Sequence, residues 1–285
     1  MPGLTLDGTR LDYTLSGQGK PALVLIHGGC CARSDWAAQA ADLAREFAVL
    51  TFDLRGHGHS GGAEGELSVA RWAADVNTLI EALDLSPVVI VGHSLGSRIA
   101  AEAVWQKPDN AAALVLLDGS RTVGGRAAST PSAGAPPPRH EDQSLAAILD
   151  RTIGPYADDA VRTQVIATMS APPEPVMWAA VRALEDWDRD RADIVLAGLP
   201  VDLPVLAIQS TYHDKFTPRR TFTQADETSP YLDGLRAALP QLRVAVLPET
   251  GHFSMMERPE AVTALIRDFA RAASEEESAR WPKSA

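Results

Sequence analysis

VVIVGHSLGSRIAA, residues 88–101, is the stretch on which the reading of this chain turns. Val88, Val89, Ile90 and Val91 are all β-branched and read as a short buried strand that stops at Gly92. Ser94 then stands between Gly92 and Gly96, and a small-residue run that suits a helix follows. Packing alone can explain small residues at such a junction, because they let strand and helix approach closely. Chemistry offers a second explanation. In a turn this tight the serine hydroxyl points into open space, and bulkier neighbours would collide. The pattern G-x-S-x-G has here the context it requires, a strand before and a helix after. A serine hydroxyl alone is a weak nucleophile. The reading therefore demands a base, an acid to orient that base, and N–H donors for an oxyanion, all elsewhere in the chain.

Outward from this stretch, short apolar runs alternate with helical patterns. PALVLIHGG and AVLTFDLRG read as strands, with a helix over SDWAAQAADLAREF between them and Ser34 as its expected N-cap. LSVARWAADVNTLIEALDL puts Val69, Trp72, Ala73, Val76, Leu79, Ile80 and Leu83 on one helical face behind Ser68 as cap. Later come the strands AALVLLDG, LPVLAIQS and RVAVLPE, a helix near 231–239, and a last helix over about 260–273. Such alternation implies parallel pairing with helices on both faces, an α/β fold. The pattern breaks between about Gly119 and Pro200. TVGGRAASTPSAGAPPPRH reads as a loop, and the stretch from Ser144 to Leu199 as helices broken at Gly154-Pro155 and at 171–175, inserted between two strands. The tail SEEESARWPKSA is polar and expected to fray.

Composition narrows the function. A net charge of −11 opposes binding to a nucleic-acid backbone and offers no basic membrane patch. Cys30 and Cys31 are adjacent and have no second pair, so a disulfide framework is not expected, nor is a zinc site. No secretory leader or membrane-spanning run is read, which favours the cytoplasm.

The remaining chemistry is found by position. The N–H of Leu95, at the start of the helix after Ser94, faces the oxyanion side, and His27-Gly28-Gly29 ends an earlier strand where the Gly29 N–H can supply a second donor. His27 itself is expected to shape that loop. His252, in TGHFSMMERPE after the strand RVAVLP, is the candidate base. For the acid, Asp214 in QSTYHDKFTP comes first, and Asp118 and Glu227 are its rivals, because the order Ser, acid, His allows all three. FDLRGHGHS reads as a structural turn in which Asp53 and Arg55 tie loops together. Gly28, His93, Trp178 and Trp187 are candidates for lining a pocket, and the tryptophans serve equally well as packing for the insertion.

Taken together, LVLIHGG, FDLRGHGHS, VVIVGHSLG, VLAIQSTYHDKFTP and TGHFSMMERPEAV, in that order, resemble the α/β-hydrolase superfamily over nearly the whole chain. The resemblance implies a mostly parallel eight-stranded sheet with helices on both faces and a helical cap inserted after the sixth strand. The core is then 1–118 and 201–275, the cap 119–200 and the polar tail 276–285. It implies Ser94 as nucleophile, His252 as base, an acid after the seventh strand, and Leu95 and Gly29 N–H groups as oxyanion hole. The chain departs from the family in one region, where STYHD replaces a compact glycine–aspartate turn and RRTFTQADETSP adds length before His252. A short stretch near the site is similar to hydrolases of acyl-homoserine lactones.

A serine at the elbow, rather than an aspartate, points to acyl transfer. The expected activity is hydrolysis of a small ester or lactone through an acyl-enzyme, with a small-molecule acyl substrate and no cofactor or metal. A carbon–carbon bond hydrolase, a cofactor-free perhydrolase and a non-catalytic ligand receptor are the alternatives.

Overall fold

The fold is that of a computed structural model, which describes residues 2–121, 149, 152–213 and 219–280. In chain order the elements are β1 (Gly3–Leu6), β2 (Thr9–Ser16), β3 (Ala22–Ile26), α1 (Ala37–Leu43), β4 (Val49–Phe52), α2 (Val69–Ala82), β5 (Val88–His93), α3 (Leu95–Gln106) and β6 (Ala111–Leu117). Then follow α4 (Asp159–Met169), α5 (Glu174–Asp190), α6 (Ala192–Ala197), β7 (Val205–Gln209), β8 (Thr211–Tyr212), β9 (Arg220–Thr221), α7 (Pro230–Ala238), β10 (Leu242–Val246), α8 (Ser254–Glu257) and α9 (Pro259–Arg280).

Eight strands form one sheet in the order β1-β2-β4-β3-β5-β6-β7-β10. Within it only β2 is reversed, antiparallel to both β1 and β4, and every other pairing is parallel. The chain steps outward from β3 to β4, then crosses over to β5 on the other side of β3. That reversal makes a crevice at the carboxyl ends of β3 and β5, where sheets of this kind place ligands.

Alternation along each strand divides the core in two. Leu23 and Leu25 pack with Val89, Val91, Val115, Ile266 and Phe269, on the side of α1 and α9. Val24 and Ile26 pack with Ile90, Trp72, Val76, Ile80 and Ile99, on the side of α2 and α3. Every residue of β3, β4 and β5 is buried, because both faces of the sheet are covered. Ser68 caps α2 by accepting the Arg71 N–H at 3.1 Å, as its position predicts. Two expectations change. Ser34 is no cap, since it lies inside a 3-10 turn at Arg33–Trp36 that precedes α1. The last helix runs on to Arg280, where fraying was expected, because SEEESAR carries no Gly or Pro to stop it.

Between β6 and β7 the chain makes α4, α5 and α6, with breaks at Gly154, where φ is +76°, and ahead of α5. The Gly- and Pro-rich stretch 122–140 lies outside the described residues. The long helix α5 is fastened to α3 by buried polar groups. Arg98 on α3 donates to both carboxylate oxygens of Asp188, at 2.8 and 2.9 Å. One turn further on, Glu102 accepts from Trp187 Nε1 at 2.8 Å and from Arg191 at 2.6 Å. Removing one partner of a buried ion pair strands the other charge, whereas an exposed pair is worth little. Asp188→Ala is therefore expected to lower the unfolding free energy by about 3 kcal/mol or more in urea titrations. Removal of the exposed Arg189, which pairs with Asp186, should change it by under about 1 kcal/mol.

Candidate active site

The elbow is built as the sequence requires. Ser94 joins β5 to α3 with φ 54° and ψ −114°, a left-handed conformation that side-chain-bearing residues rarely adopt. Both glycines are needed for close approach. A Cβ on Gly92 would lie 2.0 Å from the Gly96 carbonyl oxygen, and one on Gly96 would lie 2.6 Å from that of Ile26. The Ser94 N–H donates to the Leu117 carbonyl at 2.9 Å, extending the β5–β6 register into the turn. Leu95 opens α3, so its N–H has no intrahelical acceptor. A Cβ on Gly29 would meet the Leu95 side chain at 3.4 Å, so the two residues expected to supply oxyanion donors are neighbours in space. Gly28 lies against His93, since a Cβ there would come within 3.0 Å of Nδ1.

The other histidines of these loops hold the frame. His27 donates from Nδ1 to the Gly28 carbonyl at 2.7 Å and accepts the Leu54 N–H at Nε2 at 2.9 Å, shaping the loop as expected. His57 accepts the Cys30 N–H at 3.1 Å. Asp53 accepts N–H groups from Arg33 and His59, and Arg55 forms a two-bond pair with Asp75, so this turn is structural.

His252 is buried in the loop after β10. The bond from His93 Nε2 to the His252 carbonyl, 2.9 Å, ties that loop to the residue beside Ser94, and the two rings lie 4.7 Å apart. Its Nδ1 lies 2.6 Å from Asp118 Oδ2. Asp118, the first residue after β6, is wholly buried and richly paired. Its Oδ1 accepts the N–H groups of Ser210 and Thr211, each at 2.8 Å, and its Oδ2 accepts the Thr211 hydroxyl at 2.6 Å. Burial alone pushes this carboxyl up, but the hydrogen bond and charge of His252, the Arg219 guanidinium and the Thr211 hydroxyl together hold it down at about 2. Glu227 is engaged elsewhere. It accepts from the Thr223 N–H and hydroxyl and the Gln224 N–H in its own surface turn. Asp214 lies outside the described residues. Of the two candidate acids among the described residues, Asp118 and Glu227, the one brought onto the imidazole is Asp118.

Sequence reasoning missed three contributors. Ser210 and Thr211 follow β7 and hold Asp118, and Arg219 lies 3.0 Å from His252 Nδ1. Nothing in STY or PRR marks these roles. The tryptophans divide. Trp187 is buried against α3 and also borders a groove between α2 and α5, whereas Trp178 is exposed and donates to Glu174. A separate cavity of about 300 Å³ adjoins His252, with Thr211, Arg219, Pro155 and Tyr156 among its walls. Cys30 and Cys31 are free and buried. No helix among the described residues is long and apolar enough to cross a membrane.

Comparison with known proteins agrees with this fold. Residues 23–265 match the model of the alpha/beta hydrolase family. A protein of Mycobacterium tuberculosis that bears the name of a non-heme bromoperoxidase, BpoC, is 30% identical over 273 residues, covering 92% of this chain and 98% of the relative. A hydrolase from Pseudomonas aeruginosa superposes with a TM-score of 0.73 at 28% identity, covering 94% of this chain and 97% of that one. The enol-lactonase of Burkholderia xenovorans shares the fold, with a TM-score of 0.73 at 22% identity over 94% of this chain and 99% of that one.

Buried imidazoles set the response to acid. Burial depresses His27 and His93 to about 3 and His252 to about 4. Below about pH 6.5 the unfolded chain takes up protons there that the folded chain refuses, so stability present at neutral pH is lost as pH falls toward those values. Asp35, pushed up to about 6 by burial, works the other way but supplies one proton against three imidazoles. The unfolding midpoint in urea should fall steadily from pH 7 to pH 5, each imidazole contributing up to about 1.4 kcal/mol per pH unit. A flat midpoint over that range would rule out neutral buried rings.

Proposed function

Because the chain belongs to the alpha/beta hydrolase family, we propose that it is a serine hydrolase of small esters or lactones working through an acyl-enzyme, with Ser94, His252 and Asp118 as nucleophile, base and acid. The observation that carries this reading is the Asp118 carboxylate on His252 Nδ1 at 2.6 Å, in a loop tied to the residue beside the strained Ser94. With its N–H held by Asp118, the imidazole keeps its Nε2 lone pair for the serine proton.

Ser94 Oγ attacks the acyl carbon while His252 takes the hydroxyl proton. The oxyanion is received by the Leu95 and Gly29 N–H groups. His252 then gives its proton to the departing alkoxide. In a lactone that alkoxide stays tethered to the acyl group. Water, deprotonated by His252, attacks the acyl-enzyme and releases the acid. Residues 119–200 act as the cap over this site, and 1–118 with 201–275 as the core. The similarity to BpoC supports a second reading, in which hydrogen peroxide replaces water in the last step and yields a peracid.

With p-nitrophenyl acetate as substrate, Ser94→Ala should abolish turnover in a protein that still folds, and retained hydrolysis would refute the mechanism. Asp118→Asn should lower kcat by about 10⁴-fold, while Glu227→Gln and Asp214→Asn retain turnover. A loss at Asp214 as deep as that expected at Asp118 would return the acid's role to Asp214. Adding hydrogen peroxide and assaying peracid separates the two readings.

A further inference from the structure

One contact in the site is not required for acyl transfer. Arg219, on the segment leading into β9, places Nη1 3.0 Å from His252 Nδ1, 2.7 Å from the Thr211 hydroxyl oxygen and 3.5 Å from Asp118 Oδ2. His252 Nδ1 therefore stands between a carboxylate at 2.6 Å and a guanidinium at 3.0 Å. The two neighbours make opposite demands. Asp118 accepts an N–H, whereas Arg219 can only donate and needs a lone pair. With its proton on Nδ1, the imidazole satisfies Asp118 and leaves Nε2 free to act as base. A bare Nδ1 satisfies Arg219 but puts the proton on Nε2, where it blocks that role. An imidazolium carries both protons and meets the guanidinium as a like charge.

We propose that Arg219 is a positioning residue of the acid–base pair: by sharing Asp118 and standing beside His252 Nδ1, it opposes the imidazolium and keeps His252 a neutral base in mildly acidic water. The proposal rests on the serine-hydrolase reading of the site. Asp118 by itself would favour the charged ring. A cation at similar range offsets much of that attraction, so the ring faces a nearly neutral pair rather than a lone anion. The other groups around it do not restore the balance. His93 packs on the ring from the end of β5 and is itself held neutral by burial. His213, just after β8, acts in the same direction as Arg219, and Glu257 of α8 is turned to the Gly251 N–H. Burial is the largest influence depressing His252, with the Arg219 charge next and Asp118 opposing both. The neighbouring cavity, which Arg219 helps to line, gives the guanidinium room for water, so its charge can persist there.

The test follows the acid limb of activity. Hydrolysis of p-nitrophenyl acetate and labelling of Ser94 by a fluorophosphonate probe are measured from pH 4 to 9 in the parent, Arg219→Gln and Arg219→Lys. Glutamine keeps a donor for Thr211 but removes the charge. Its acid limb should move up by about one pH unit in both assays, and the lysine variant should hold the limb near the parent's. A residue that merely braced the loop would lower the rate at every pH and leave the limb in place, which would overturn the proposal. Nitrogen-15 shifts of His252 in the parent give an independent answer even if Arg219→Gln fails to fold. A neutral ring at pH 5 is expected in the parent and in Arg219→Lys, and a protonated ring in the parent there refutes the role assigned to Arg219. If the parent is not labelled at Ser94, the hydrolase reading falls instead, and the imidazole shifts still report on Arg219.

Discussion

A carboxylate removed from water must be given back, in hydrogen bonds, most of the solvation it loses, and Asp118 imposes that condition on this fold. The penalty for burying an unpaired ion is several kcal/mol even after the surroundings relax. Asp118 is fully buried, so its oxygens have to be met by donors brought from distant parts of the chain. The N–H groups of Ser210 and Thr211 arrive with the end of β7, because Asp118 N–H itself bonds to Ile208 and fixes the two strands in register. The Thr211 and Ser210 hydroxyls, the His252 ring and the Arg219 guanidinium add to the shell. Moving any of these loops exposes a charge to a dry interior. The position of His252 is thus enforced by the needs of its partner as much as by its own loop.

The same sheet holds the strain at Ser94. A side chain at positive φ is unfavourable by roughly 1–3 kcal/mol, and such a residue persists only where its surroundings leave no alternative. Here the alternatives are closed. β5 is buried on both faces, Gly92 and Gly96 sit at backbone contact distance, and the Ser94 N–H is tied to Leu117. The Ser97 hydroxyl also donates to the Ser94 carbonyl, at 2.6 Å. Relaxing the turn would break the packing of α3 onto β5, which is why a strained serine and an ordinary buried strand occur together.

How much of this was legible in the sequence follows from how local each feature is. The elbow, the strands and the α2 face are written in consecutive residues: Gly-x-Ser-x-Gly after four β-branched residues, or Trp72, Val76 and Ile80 at helical spacing. His252 was legible because it follows a strand. The carboxylate on its ring was legible only as one of three candidates, because it depends on which strand-end carboxylate the folded chain turns toward an imidazole 134 positions away. Family habit favours a place after β7, where the described residues that reach the pair are Ser210, Thr211 and Arg219, and Asp214 lies outside the described residues. Arg219 left no trace at all. An arginine in a polar loop reads as solvated until the fold shows it beside a carboxylate and a ring that already touch.

The insertion raises a mechanical question of the same kind. A lid that swings must break and remake its contacts cheaply, which means few buried polar bonds between lid and body. Helix α5 has the opposite character, since Arg98–Asp188 and the Glu102–Trp187–Arg191 group are buried and span the contact with α3. Arg98 lies four residues past Ser94, and its Nη1 is 3.4 Å from the Ser94 carbonyl. Lifting α5 would leave Arg98 without its carboxylate one helical turn behind Ser94. So α5 belongs mechanically with the sheet, and the wall it presents is set by the same helix that carries the elbow.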